Sequence, residues 1–428
     1  MIIDHLLREN LLSPKQYGFI SGRSTVTQLL YYLDECINTI SNGGVVDSVY
    51  LDFSKAFDTV PHRRLITKLQ AYGIDGDILK WIQEFLQGRT QEVMVNGCRS
   101  KADIVISGVP QGTVLGQILF VIYINDLLDN IKSDGLMFAD DTKIFRLISS
   151  YDDAVELQAD ISRLEQWSDT WQLRFNHDKC HILTLGKFEN IHHAHQYEMS
   201  NNKLEHVFEE KDLGITIDSE LKFREHISRK VRIANGIVGQ IRRSFSFLDC
   251  ETFRRIYCAF VRPHLEYGQA AWSPHLIKDI KTLENVQIRA TKLVDGLGKL
   301  EYAERLKRLN LPTLAFRRQR GDIIEIFKHF HTYDKFTLSR SFHPQTYPSR
   351  QHKFQLVQRR PKDGKRGLQF NSFYYRCPAV WNKLPSNVVN AKNINAFKNA
   401  LDAYWENHPM QYNHEYREEP EIDEGEEG

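Results

Sequence analysis

Apolar side chains recur at helical spacing at Val26, Leu29, Leu30, Leu33 and Ile37, which predicts a helix from about Ser24 to Ile40. Ser41-Asn42-Gly43-Gly44 supplies its stop. The next run, Val45 to Phe53, is β-branched and aromatic, the pattern of a buried strand with a carboxylate, Asp52, near its far end. Amphipathic helices follow over His62–Ala71 and Asp77–Leu86, the second with Leu79, Ile82 and Phe85 along one face. Gln91 to Val95, then Asn96-Gly97, then Cys98 to Ile106 predicts a hairpin, because Asn-Gly suits the turn whose twist matches paired strands. A loop, Ser107 to Gly112, precedes an apolar segment long enough to be a buried helix. Leu136–Ala139, Asp140-Asp141 and Thr142–Leu147 then predict a strand, a tight acidic turn and a second strand. Residues 152 to 171 carry Ala154, Leu157, Ile161, Leu164 and Trp171 at helical spacing. The order describes an α+β domain with helices on one face of an antiparallel sheet.

Beyond Leu213 the pattern turns helical, and 428 residues exceed one compact core, so further domains are expected over 219–296 and 297–414. No stretch approaches the ~20 apolar residues of a membrane span, and Met1-Ile2-Ile3-Asp4-His5 lacks a signal-peptide pattern. The expectation is an intracellular chain of nucleus or cytoplasm, not secreted and without a membrane partner. The six cysteines form no Cys-x-x-Cys pair, and neither His192/His193/His195 nor His177/Cys180/His181 has a second ligand pair at zinc spacing. Net charge is +1, but eight acidic residues and one arginine between Glu415 and Gly428 leave the rest at +8. A basic body suits a phosphate-binding surface, and the acidic stretch reads as a disordered tail.

Three carboxylates at strand ends carry the candidate chemistry. If the strands bearing Asp52 and Asp140-Asp141 are neighbours, their charges converge and repel, so they require cations or protons to coexist. Hard oxygen ligands suit Mg²⁺, and two such ions ~3.5–4 Å apart serve phosphoryl transfer. Each piece alone is ordinary, since Asp commonly caps helices and fills turns. Their order, with Gly108-Val109-Pro110-Gln111-Gly112 between them, is what discriminates.

That order resembles a known family. Leu51-Asp52-Phe53-Ser54-Lys55-Ala56-Phe57-Asp58-Thr59-Val60-Pro61-His62 is similar to motif A of LINE-type (non-LTR) retrotransposon reverse transcriptases. Ser107 to Gly116 resembles their motif B and Phe138-Ala139-Asp140-Asp141 their motif C. Phe175 to Cys180 resembles motif D, Asp212-Leu213-Gly214-Ile215 the primer-grip motif E, and Gln16-Tyr17-Gly18-Phe19 through Thr25 the fingers segment. The jockey and CR1-like groups look closest. The resemblance implies a right-hand polymerase: partial fingers over 1–44, a reverse-transcriptase palm over 45–218, a helical thumb-like domain over 219–296, a C-terminal region of unassigned role over 297–414 and the tail over 415–428. It implies an RNA-directed DNA polymerase that uses an RNA template, a DNA primer and dNTPs. Two Mg²⁺ ions, with Mn²⁺ as a substitute, would be held by Asp52, Asp140 and Asp141. The backbone of Phe53 would meet the triphosphate, and Phe57 would exclude a 2′-hydroxyl. Gln111 and Gly112 would line the nucleotide pocket, Lys179 would stabilise the leaving pyrophosphate and Arg23 would contact phosphate. Leu213 and Gly214 would grip the primer, and Arg229, Lys230 and Arg232 of a basic helix would track the nucleic-acid backbone.

Family members commonly carry Arg or Lys where Ile20 stands, and serine and proline where Thr113 and Gln117 stand. The chain begins shortly before Gln16, so an amino-terminally truncated copy is expected. Two other readings compete with an active reverse transcriptase: a catalytically decayed remnant that keeps the fold and binds nucleic acid, and a right-hand polymerase of another template class. The C-terminal stretch with Phe373, Arg376, Trp381, Asn382, Leu384 and Pro385 resembles a tract of the same elements.

Overall fold

The computed structural model describes residues 2–186, 195–331, 352–359 and 367–416. His192, His193 and the acidic stretch from Arg417 onward lie outside the described residues. Two compact units divide the chain near residues 214 to 222.

The first unit is built on one five-stranded sheet. Helices α1 (Ile2–Arg8) and α2 (Thr25–Ser41) precede strand β1 (Val45–Leu51). Ser24 caps α2 by accepting from the Thr27 N–H, with Thr27 returning the bond, so the helix starts where its apolar spacing starts. Next come α3 (His62–Ala71), α4 (Gly76–Leu86), α5 (Val114–Ile124), the hairpin β2 (Asp134–Phe138) and β3 (Asp141–Ile148), α6 (Tyr151–Trp171), β4 (His181–Leu185), β5 (Glu205–Val207) and β6 (Glu209–Asp212). The spatial order is β5-β4-β1-β3-β2, antiparallel except that β5 runs parallel to β4.

All seven residues of β1 are buried because helices cover both faces of the sheet, not one as the sequence pattern suggests. Val49, Leu51 and Ile144 join Leu65, Phe120 and Leu157 in one apolar cluster fed by α3, α5 and α6. On the other face α2 supplies Tyr32, whose hydroxyl bonds Ser48 at 2.7 Å and whose ring meets Phe145 edge-on. The Asn96-Gly97 hairpin forms, with both residues at positive φ, but only Thr90–Gln91 with Asp103–Ile104 and Met94–Val95 with Cys98–Arg99 pair, all exposed.

The second unit is helical: α7 (Arg224–Ser244), α8 (Ile277–Thr291), α9 (Leu314–His331), α10 (Phe373–Asn382) and α11 (Ile394–Tyr404). The stretches 219–296 and 297–414, expected as separate regions, share this one core among the described residues. Arg376 makes two bonds to Asp322 at 3.0 and 3.1 Å and one to the Ala270 carbonyl, and Phe327 stacks on Phe397. Trp381 is fully buried and donates to the Phe354 carbonyl, while the Asn382 amide both donates to and accepts from the Leu356 backbone. The tract around Arg376 and Trp381 is therefore the internal fastening of this unit. A half-buried guanidinium and a buried indole hold their places because each polar atom has a partner.

Candidate active site

The strand register sets the site. Tyr50 lies across from Lys143 and Leu51 across from Thr142, so one further step puts Asp52 opposite Asp141. Alternation along the strands then places Tyr50, Asp52, Asp141 and Lys143 on one face. Asp141 is not in the turn, as the sequence suggested; it opens β3 and pairs with Phe138. The turn consists of Ala139 and Asp140, with Ala139 at φ 54°. An alanine in that left-handed region is strained, and strain of this kind persists only where the surroundings impose it.

The surroundings do so through Gln16, a residue given no individual role from sequence. Lys15 to Tyr17 runs beside β2, with Tyr17 donating to the Met137 carbonyl and Met137 to that of Lys15. Gln16 is fully buried, and its Oε1 accepts from the N–H of Gly18 at 2.7 Å and of Ala139 at 3.0 Å. A Cβ on Gly18 would stand 2.3 Å from the Ala139 nitrogen, so only glycine admits this approach. The pairing spans 123 residues and no local pattern announces it.

Asp52 and the Asn176–Lys179 turn are held together. The Asp52 carbonyl accepts from Asn176 N–H, and buried Phe53 stacks on Phe175 with ring centroids 4.5 Å apart. Asp52 Oδ2 is sealed from solvent and has no hydrogen-bond donor among the described residues, although the Lys179 ammonium stands 3.2 Å from it. The lysine side chain is otherwise largely exposed. The loop 107–112 is pinned to the short helix Ala56–Thr59: Val109 donates to the Phe57 carbonyl, Ser107 to the Asp58 carbonyl and Gly108 to the Val60 carbonyl. A Cβ on Gly108 would meet the Asp58 backbone at 2.6 Å. Phe57 is half-buried and stacks on Phe120 at 4.2 Å. Gln111 is exposed, its amide 3.4 Å from the Asp58 carboxylate, and Gly112 is exposed with open space around it.

A cavity of about 690 Å³ opens at this end of the first unit, lined by residues that include Gln28, Asp52, Asp141, Lys179, Glu210 and Gly214. His181 and Glu210 pair in it at 2.8 Å. Burial raises the Asp140 carboxyl above its usual range, and the charge of Asp52 adds to this. The Asp141 carboxyl is pushed up to about 6, first by desolvation among its neighbours and then by the charges of Asp140, Asp212 and Asp52, against the opposing pull of Lys143. Among the described residues no three acidic, His or Cys side chains come close enough to hold a metal ion. The expected convergence of Asp52, Asp140 and Asp141 into one ligand cluster is thus not formed among the described residues. The three line one sheet end as neighbours, where like charges repel. A buried carboxylate oxygen met only by the largely exposed Lys179 ammonium, together with two carboxyls resisting ionisation, nevertheless forms a donor set that fits a divalent cation.

Other expected contacts are placed differently. Arg23 does not point outward to meet phosphate: its Nη1 bonds the carbonyls of Ser13, Pro14 and Gln16, and its guanidinium lies over the Tyr17 ring, so it braces the segment that carries Gln16. Leu213 and Gly214 form a turn with φ 46° and 84° after β6. In the second unit Arg229 and Arg232 are exposed on α7 and Lys230 is half-exposed; Arg229 also pairs with Glu225 at 3.1 Å. Lys143, for which the sequence suggested no role, and Asp212, which it placed only as the first residue of the motif E tract, are both buried and paired to each other.

Residues 1–225 match the family model described as reverse transcriptase (RNA-dependent DNA polymerase). The chain is 26% identical over 299 residues to the RNA-directed DNA polymerase from mobile element jockey of Drosophila funebris, covering 66% of this chain and 32% of that one. It is 26% identical over 332 residues to the probable RNA-directed DNA polymerase from transposon BS of Drosophila melanogaster, covering 73% and 36%. The chain thus spans about a third of the length of these curated relatives. Apo telomerase from Candida tropicalis overlays with TM-score 0.37 at 11% identity, over 72% of this chain and 50% of that one. No helix among the described residues is long and apolar enough to cross a membrane.

Proposed function

The chain belongs to the reverse transcriptase (RNA-dependent DNA polymerase) family, and from that premise we propose that it extends a DNA primer by adding dNTPs on an RNA template. Its likeness to mobile-element polymerases supports the setting of a jockey-like non-LTR retrotransposon. The observation that carries the reading is the β1–β3 register, which ends with Leu51 across from Thr142 and so brings Asp52 to the strand end where Asp141 and the Ala139-Asp140 turn stand.

Asp52, Asp140 and Asp141 would hold divalent cations, Mg²⁺ or Mn²⁺, whose chemistry is to activate the primer hydroxyl and neutralise charge on the phosphates. The side chains prepare for this by collecting negative charge that desolvation makes costly to leave unpaired. Lys179 is largely exposed and already beside Asp52, so it can swing to the pyrophosphate as charge builds there. Phe57 is braced by Phe120, which gives a stiff wall against a 2′-hydroxyl. Gln111 and Gly112 remain open for template and nucleotide, and the Phe53 backbone lies next to Asp52 for the triphosphate. Exposed Arg229 and Arg232, with Lys230, supply phosphate contacts along the duplex.

The test is extension of a DNA primer by this chain on RNA and DNA templates of equal sequence, with Mg²⁺. Elongation on RNA at a rate at least equal to that on DNA is expected. Elongation confined to the DNA template would contradict the assignment.

A further inference from the structure

Below the carboxylates, β3 and the primer-grip turn are joined by two buried opposite charges. Lys143 is 3% and Asp212 6% exposed, and the ammonium bonds the carboxylate directly. The pair does not stand alone. The Lys143 ammonium lies 4.6 Å from the Tyr32 ring centroid, and the Tyr50 hydroxyl is 3.5 Å from the same Asp212 oxygen. Tyr32 and Tyr50 are themselves bonded at 3.3 Å. Lys143 is two residues beyond Asp141 on the same strand face, and Asp212 immediately precedes Leu213-Gly214. Both line the cavity that holds Asp52.

Two apolar residues would fill this space at least as well, because removing charges from water costs much of what their attraction returns. A buried pair at this place is explained better by what it fixes in space. We propose that Lys143 and Asp212 are positioning residues that lock the Leu213-Gly214 turn to the carboxylate-bearing strand, so that the primer terminus and Asp141 keep one register. This rests on the polymerase reading above. A turn released from β3 would still bind duplex through the rest of the protein, yet would present the terminal hydroxyl out of line, and small displacements of a reacting group are costly.

The experiment compares the parent chain with Lys143→Met/Asp212→Leu, which removes both charges and leaves neither one buried alone. A primer carrying 2-aminopurine at its 3′ end reports the terminus by fluorescence, apart from extension. The double variant should bind duplex within about twofold of the parent and melt within a few degrees of it. Its terminal fluorescence should change, and kcat should fall ~10-fold to 10²-fold with the KM for dNTP little altered. A double variant matching the parent in fluorescence and kcat overturns the inference. Should it not fold, Lys143→Arg keeps the charge and lengthens the reach: kcat should again fall at unchanged duplex affinity, and a parent-like kcat overturns the inference. A parent that neither binds nor extends the primer overturns the polymerase reading and this inference with it, which a matching double variant in an active background does not.

Discussion

Gln16 shows how much one side chain outside the acidic motifs carries. Its carbonyl oxygen satisfies two buried N–H groups, one of them in the strained turn before Asp140. Gln16→Ala leaves both donors unpaired, a loss of about 1–3 kcal/mol for each buried group. The turn should relax, and single-turnover extension should fall ~10-fold or more; an unchanged rate in a folded variant would remove Gln16 from the site. Phe57→Val opens the wall beside the sugar without touching the carboxylates, so ribonucleotide use should rise relative to deoxyribonucleotide use. An unchanged ratio would leave Phe57 as packing against Phe120 alone. Asp52, Asp140 and Asp141 were readable because their neighbours in the chain spell out strand, turn and strand. The pairings of Gln16 with Ala139 and of Lys143 with Asp212 were not, because the partners lie 123 and 69 residues apart and only the tertiary fold brings them together.

At the scale of elements, helices and strands with strong periodicity stood in the sequence nearly to the residue: α2 within its capping serine and its Asn42 stop, β1, α3, α4 and α6. Their neighbours in space were not legible. Helix α2 covers the face opposite α5 and α6, and Lys15 to Tyr17 adds itself to the β2 edge, facts that follow from burying both sides of β1 and from pairing an otherwise open edge. Helix α7 is the element whose role is most directly open to salt. Its buried stripe, Ile227, Val231, Ala234, Val238 and Ile241, leaves Arg229 and Arg232 outward. Replacing Arg229, Lys230 and Arg232 with Gln should weaken binding to all duplex sequences alike and flatten the logarithmic salt slope by up to ~0.9 per lost contact. Parallel slopes for variant and parent would return these residues to a solvated surface.

Over the whole molecule, the sheet unit carries the candidate chemistry and the helical unit is held by buried polar groups whose protonation matters. His226 is 1% exposed, accepts the Thr216 N–H at 3.0 Å and packs on Trp272, and burial, followed by the charges of Lys230 and Arg229, lowers its pKa from 6.5 to about 3. The unfolded chain then binds the extra proton at a higher pH than the folded one, so this contribution is fully present above pH 6.5 and is lost as pH falls toward 3. About 2 kcal/mol should be gone by about pH 5. The melting midpoint should drop accordingly in the parent and less in His226→Leu; equal slopes would show that the ring is not protonated on unfolding. The sheet unit's claim is sharper. If Asp52 and Asp140 hold the cations of nucleotide addition, changing either to Asn removes a charged ligand at nearly constant size. The most direct measurement is the single-turnover rate of primer extension on RNA by Asp52→Asn and Asp140→Asn beside the parent, with duplex binding checked. Duplex binding should persist while the rate falls by at least ~10³-fold, the scale of losing one strong transition-state stabiliser. A rate near that of the parent in either variant would contradict the account.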